Sequence, residues 1–171
     1  AWFHPESGFG NILSYGDGTV GSRRFSLLIS NGGVQFIGES NDHFYRSVTL
    51  NQWHFVTITY ANNELKMYID GALTDSTLLG TNLNTDSSYP LVIGSNTTTR
   101  NDEYFGGKVA QVSIWDRVLN QADIQNHMNC PPSMNAMDLL GYWELGNDAN
   151  DATAYGNNGV IEGAVFSTEA P

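Results

Sequence analysis

Two short stretches concentrate the side chains able to do binding chemistry. Asn41-Asp42-His43-Phe44-Tyr45-Arg46 sets two aromatics among four polar residues, and Thr97-Thr98-Thr99-Arg100-Asn101-Asp102-Glu103-Tyr104-Phe105 is longer and more polar. An aromatic ring offers a flat apolar face for stacking, while amides and carboxylates beside it accept hydroxyl hydrogens. The candidate ligand contacts are therefore Asn41, Asp42, Phe44, Tyr45, Arg46, Arg100, Asn101, Asp102 and Tyr104. Phe44 and Phe105 also suit core packing at a strand end, and Arg100 with Asp102 or Glu103 also suits a surface ion pair worth little in stability. Catalytic chemistry finds less to work with. His4, His43, His54 and His127 are dispersed without zinc-like spacing, and Glu39 and Glu64 are isolated along the chain.

These loops need a frame, and the stretch from Trp53 to Gly71 shows what kind. Val56, Ile58 and Tyr60 alternate with Phe55, Thr57 and Thr59. Beyond Ala61-Asn62-Asn63-Glu64, Leu65, Met67 and Ile69 alternate with Lys66, Tyr68 and Asp70. Period-two alternation predicts paired strands with one face on a core and one in water. Asp70-Gly71 supplies the positive-φ pair that a two-residue hairpin turn prefers. Further strands are expected at 2–3, 11–15, 25–30, 33–37, 72–76, 91–93, 107–115, 140–145 and 160–166, punctuated by Gly, Asn, Asp or Pro. One helix is expected near 120–128, capped by Asn120 with Asp123 at capping-box spacing and stopped before Pro131-Pro132. The predicted organisation is a core over 1–130, a linker over 131–138, and a C-terminal segment, 139–171, that either folds back onto the core, the favoured reading, or belongs to a following repeat.

With 171 residues, one well-buried domain suffices. The low charged fraction, 15%, beside abundant Gly, Asn, Ser and Thr suits many short strands joined by tight turns. A net charge of −11 argues against nucleic acid and anionic membranes as partners, since both attract Lys/Arg clusters. The single cysteine, Cys130, rules out an internal disulfide, and no run approaches the ~18 apolar residues of a membrane span. The abrupt, strand-like start at Ala1-Trp2-Phe3 suggests a piece of a longer protein.

Four blocks resemble the laminin-G-like domains of the concanavalin A-like superfamily, in the form common in bacterial surface proteins. They are Ala1-Trp2-Phe3-His4-Pro5 with Ile12-Leu13-Ser14-Tyr15-Gly16, the hairpin from Trp53-His54-Phe55-Val56 to Tyr68-Ile69-Asp70-Gly71, Leu91-Val92-Ile93-Gly94, and Phe105-Gly106-Gly107 through Trp115-Asp116-Arg117-Val118-Leu119 to Ala122-Asp123-Ile124. Together they cover roughly residues 1–129. The resemblance implies an all-β, two-sheet antiparallel jelly-roll sandwich. Leu140-Gly141-Tyr142-Trp143-Glu144-Leu145 and the loop to Gly159 are similar to the segment that usually opens such a domain, although here they stand at the C-terminus.

The resemblance also implies function. In this family the opening loop helps to hold Ca²⁺, and the matching positions here are Asp151, Asn157 and Asn158, with Asp148 nearby; carboxylate and Asn oxygens suit a hard cation. The acidic partner on the family's closing strand aligns with Ala110, beside Gln111, so one charged ligand is missing. Sugars bind the superfamily at rim loops or on the concave face, which gives the two aromatic-polar stretches their expected role. The glucanase run Glu-x-Asp-x-x-Glu is absent. The expectation is a non-catalytic, secreted or surface-anchored module of a larger protein that binds a glycan or polysaccharide, with calcium as a candidate cofactor. The alternatives are a protein-interaction or spacer module, binding another surface protein, and an accessory domain of a secreted hydrolase.

Overall fold

The computed structural model describes residues 1–96 and 103–171. Among these residues twelve strands and one helix follow in order: β1 (Trp2–Pro5), β2 (Phe9–Gly16), β3 (Arg24–Ser30), β4 (Gly33–Ile37), β5 (His43–Ser47), β6 (His54–Ala61), β7 (Glu64–Ile69), β8 (Ala72–Leu78), β9 (Val92–Ile93), β10 (Gly107–Ala110), β11 (Val112–Trp115), α1 (Gln121–Asn129) and β12 (Leu139–Trp143). They form two five-stranded antiparallel sheets, β10-β1-β6-β7-β8 and β5-β4-β3-β2-β9, and a two-stranded β11-β12 ribbon. This is the two-sheet jelly-roll expected from the sequence.

Tight turns set the register. Asp70 and Gly71 both take positive φ (51° and 75°), as do Asn62 and Asn63 (51° and 64°) and Asn31 and Gly32 (50° and 76°). Two consecutive left-handed residues match the twist of the flanking strands, and Asn, Asp and Gly reach that region at least cost. The resulting ladder pairs Val56 with Ile69 and Ile58 with Met67, so the alternate apolar residues of the hairpin share one face. Between the sheets, Val56 and Met67 meet Phe3, Ile12, Leu27, Ile29 and Val34.

The other face of that hairpin departs from expectation, because it is not left to water. Phe55 and Tyr68 interrupt its polar pattern, and Leu119 and Ile124 pack over them with Trp2, Trp115 and Met128. The helix that supplies Ile124 has the predicted capping box. Asn120 Oδ1 accepts from the Asp123 amide at 2.9 Å, and Asp123 Oδ2 accepts from the Asn120 amide at 3.3 Å. Two further expectations fail locally. The stretch His43–Ser47 is an edge strand rather than a loop, and 160–166 forms no strand. Gly163 at φ 78° turns the backbone midway through that run.

The segment after the helix lies against β11, with Val112 opposite Trp143 and Ser113 opposite Tyr142. Trp143 packs on Leu13 and Val112. Replacing that indole with Ala should cost about 3–5 kcal/mol of unfolding free energy. The half-exposed Leu140→Ala should cost well under half of that, and equal losses in urea titration would show that Trp143 does not close the core.

Candidate functional site

The face of the β5-β4-β3-β2-β9 sheet that points away from the core is built on polar residues. On β3, Leu27 and Ile29 enter the core, so the alternate positions Arg24, Ser26 and Leu28 lie on the opposite face. Arg24 is 1% exposed, and such burial requires a partner for every donor. Its Nη1 donates to Glu39 Oε1 at 2.9 Å. Its Nη2 donates to Glu103 Oε2 at 3.1 Å, to Asn11 Oδ1 at 3.2 Å and to Ser26 Oγ at 3.3 Å. Its Nε donates to Ser14 Oγ at 3.4 Å. Glu103 is held further by Asn11 Nδ2 at 2.6 Å and Asn96 Nδ2 at 2.8 Å. Two carboxylates thus share one guanidinium, across β2, β3, the turn after β4 and the segment before β10.

Aromatics border this polar floor. Phe9 stands two residues before Asn11 on β2, hence on the same face, and is half-exposed. Phe9 pairs with Ser30, which pairs with Gly33. Over Gly33 lies the ring of Tyr45, so near that a Cβ there would sit 2.5 Å from it. The Tyr45 hydroxyl donates to the Asn31 carbonyl at 2.7 Å. Phe9 and Gly33 are therefore two strands, about 10 Å, apart. Tyr104, 65% exposed, follows Glu103, whose carbonyl accepts the Asn11 amide at 3.0 Å.

The residues singled out from the sequence distribute differently. Tyr45 and Tyr104 border the polar face. Asn41 is buried, its Nδ2 donating to Ser22 Oγ at 2.7 Å and Thr81 Oγ1 at 2.8 Å. It belongs to the end of β4 opposite Tyr45, roughly 15 Å along the strand. Asp42 is exposed, and its Oδ1 accepts the Gly38 amide at 3.0 Å. Phe44 packs on the core. Arg46 spans the two sheets, paired with Asp75 at 2.7 Å and donating to the Thr74 carbonyl at 3.2 Å. Arg100, Asn101 and Asp102 lie outside the described residues. Sequence reasoning passed over Phe9, Arg24 and the pairing of Glu39 with Glu103. Arg24 and Ser26 alternate as on a polar face, but Asn11 and Ser14 share that face only through the bulge between Asn11 and Leu13, and nothing in the sequence marks it as buried.

The loop after β12 turns its oxygens inward. Asp151 Oδ1 accepts the Tyr142 and Thr153 amides at 3.1 and 2.9 Å, and its Oδ2 accepts Thr153 Oγ1 and the Asn157 amide, both at 2.9 Å. Asn158 Oδ1 accepts the Asp151 amide at 3.0 Å, and Asn157 Nδ2 donates to the Leu140 carbonyl at 3.1 Å. The Asp148 oxygens take the Asn150 amide at 3.0 Å and its Nδ2 at 2.8 Å. A calcium ion needs six to eight convergent oxygens. Here the carboxylate's four acceptor positions are filled by N–H and O–H donors, and the described residues hold no group of three His, Cys, Asp or Glu able to bind a metal. The four loop residues as folded do not fit a hard cation.

A profile of the Concanavalin A-like lectin/glucanases superfamily, of the laminin-G type, matches residues 1–125. The chain belongs to this family. It is 27% identical over 147 residues to the rat "Sushi, von Willebrand factor type A, EGF and pentraxin domain-containing protein 1", and 26% identical to the mouse protein of that name. The match covers 78% of this chain but spans only 4% of the length of those relatives. Among solved structures, a candidate carbohydrate binding protein of Bacteroides ovatus superposes with a TM-score of 0.74 at 18% identity, over 99% of this chain and 54% of that one. Domains LG4-5 of the mouse laminin α1 chain match with a TM-score of 0.47 at 17% identity, over 63% of this chain and 31% of that one. At 18% identity the Bacteroides ovatus match establishes fold alone.

Burial would raise the pKa of Asp151, but the donors around it outweigh burial and hold it below the usual carboxylate range. A depressed carboxylate stabilises the fold fully above the unfolded value of about 3.9, and that contribution fades as pH falls through the lower folded value. Asp151→Asn should therefore lower stability by about 1–3 kcal/mol at pH 7. It should also weaken the stability loss on acidification below about pH 4. An unchanged acid profile in denaturant titrations would refute the assignment.

Proposed function

We propose that this chain is a non-catalytic carbohydrate-binding or adhesion module of a larger extracellular protein, and that it takes a neutral glycan across the outer face of the β5-β4-β3-β2-β9 sheet. The observation that carries this reading is the juxtaposition of Phe9, Tyr45 and Tyr104 with the floor organised by Arg24. The Phe9 ring and the Tyr45 ring over Gly33 can stack on separate sugars of one chain, while the edges of Glu39 and Glu103 left by Arg24 accept hydroxyl hydrogens. The fold shared with the Bacteroides ovatus protein supports the reading at the level of class.

Charge favours a neutral ligand. Each described Lys or Arg is paired with a carboxylate: Arg23 with Asp86, Arg24 with Glu39 and Glu103, Arg46 with Asp75, Lys66 with Glu64, Lys108 with Glu6 and Glu169, and Arg117 with Asp123. On a chain of net charge −11, these paired cations leave little to attract a sulfated or sialylated chain. Because the Asp151 loop does not fit calcium, binding on the sheet face is expected to be independent of it.

A glycan panel carrying neutral, sialylated and sulfated members, run in millimolar calcium and in excess chelator, tests this reading. Selective neutral binding is expected in both conditions. Phe9→Ala, Tyr45→Ala and Tyr104→Ala should each weaken it about tenfold, or ~1.4 kcal/mol, with little change in thermal unfolding. No binding to any glycan would remove the carbohydrate reading. Binding that survives all three substitutions would move the site elsewhere.

A further inference from the structure

A second concave surface shares no residue with the Arg24 face. β11 and β12 run antiparallel with Trp115 opposite Leu139. Just past that pair, the Asp116 amide donates to the Asp138 carbonyl at 2.8 Å, so the two backbones stay adjacent. The loop after β12 is drawn back along that strand. The Ala152 amide donates to the Tyr142 carbonyl at 2.8 Å, and Asn157 Nδ2 to the Leu140 carbonyl at 3.1 Å. Between this loop and the turn that precedes β12 lies a cavity of about 430 Å³, lined by Met134, Met137, Leu140 and Tyr155 together with Asp116 and Asp138. That volume falls within the ~300–1,000 Å³ of ligand clefts.

Its walls are apolar and open. Met137 is 82% exposed, Tyr155 67% and Leu140 37%, so three large apolar side chains stand in water around one hollow. Methionine is unbranched and polarizable, and it moulds to the shape of a partner. The rim is anionic. Asp116 and Asp138 are exposed, and no described residue donates to either carboxylate. Each described Lys and Arg is paired with a different acid. Even Arg117, next to Asp116 in the chain, donates to Asp123 at 2.8 Å and lies over the Trp115 ring. Like charges on neighbouring strands repel, and a cation between them relieves the repulsion.

An apolar trough that ends in two carboxylates complements a long cationic side chain, whose methylene stem lies on apolar surface while its head keeps to polar groups. Arginine fits it better than lysine, because the planar guanidinium forks onto carboxylates and stacks on an aromatic face such as that of Tyr155. We propose that this groove docks a partner polypeptide through an arginine side chain, its stem against Met137, Leu140 and Tyr155 and its guanidinium between Asp116 and Asp138. The partner is a different polypeptide rather than a second copy, since the described cations of this chain are already engaged. A net charge of −11 favours encounter with a basic partner.

NMR titration of the isotope-labelled full chain with N-acetyl-arginine amide tests the proposal. The probe should shift the Met137 methyl and Tyr155 ring signals, saturating in the millimolar range. Its citrulline analogue keeps the shape but not the charge, and should bind at least about tenfold more weakly. The arginine probe should lose as much on a variant carrying Asp116→Asn and Asp138→Asn. Asn accepts the left-handed φ of 68° at position 138 as readily as Asp, so this variant should keep its thermal unfolding midpoint. Absence of shifts at Met137 and Tyr155 would overturn the proposal. So would citrulline binding equal to arginine, or arginine binding indifferent to the double substitution. Self-association in light scattering that the double substitution abolishes would assign the groove to a second copy and overturn it equally.

Discussion

A guanidinium taken out of water constrains half of this molecule. Arg24 is buried on a sheet face, and a charge so placed is tolerated only when carboxylates and hydroxyls meet each donor. Glu39 must come from the turn after β4, Glu103 from the segment before β10, and Asn11 and Ser14 from β2. Four regions distant in sequence are thereby held to one point. Glu39 takes φ 49° and its neighbour Ser40 φ 69° at that turn, a conformation that needs compensation elsewhere. The bonds to Arg24 supply it.

The two faces of the same sheet thus obey different rules. Inward, Ile12, Leu27, Ile29 and Val34 meet Phe3, Val56 and Met67 by shape and burial alone, where a similar volume would serve nearly as well. Outward, a directional network allows few exchanges and presents charge to whatever approaches. Phe9, Tyr45 and Tyr104 matter because they stand beside that network. Trp115, which is also aromatic, has His127 stacked on it at 4.9 Å and Arg117 over its ring at 5.2 Å, so its faces are already occupied.

The second sheet is organised around β6. It pairs with β7 from Val56 to Ala61 and with β1 at His54 and Phe55. The core beneath is closed by α1 on one side and by Trp143 on the other.

Much of this architecture was legible from the chain. Alternation from Phe55 to Ile69, the Asn-Asn and Asp-Gly turns and the Asn120 capping box are local signals, because backbone conformation and side-chain period act over a few residues. They determined the strands, the hairpins, the helix and the family. What sequence spacing could not convey is which distant residues share a point in space. Glu39 is isolated along the chain yet meets Arg24. Asn41 and Tyr45, four residues apart, go to opposite ends of a strand, because His43–Ser47 pairs as an edge instead of looping. Asp151 carries the oxygens of an ion ligand, but neighbouring amides reach them first. Local periodicity fixes the elements; charge satisfaction and edge pairing are long-range, and only the folded chain decides them.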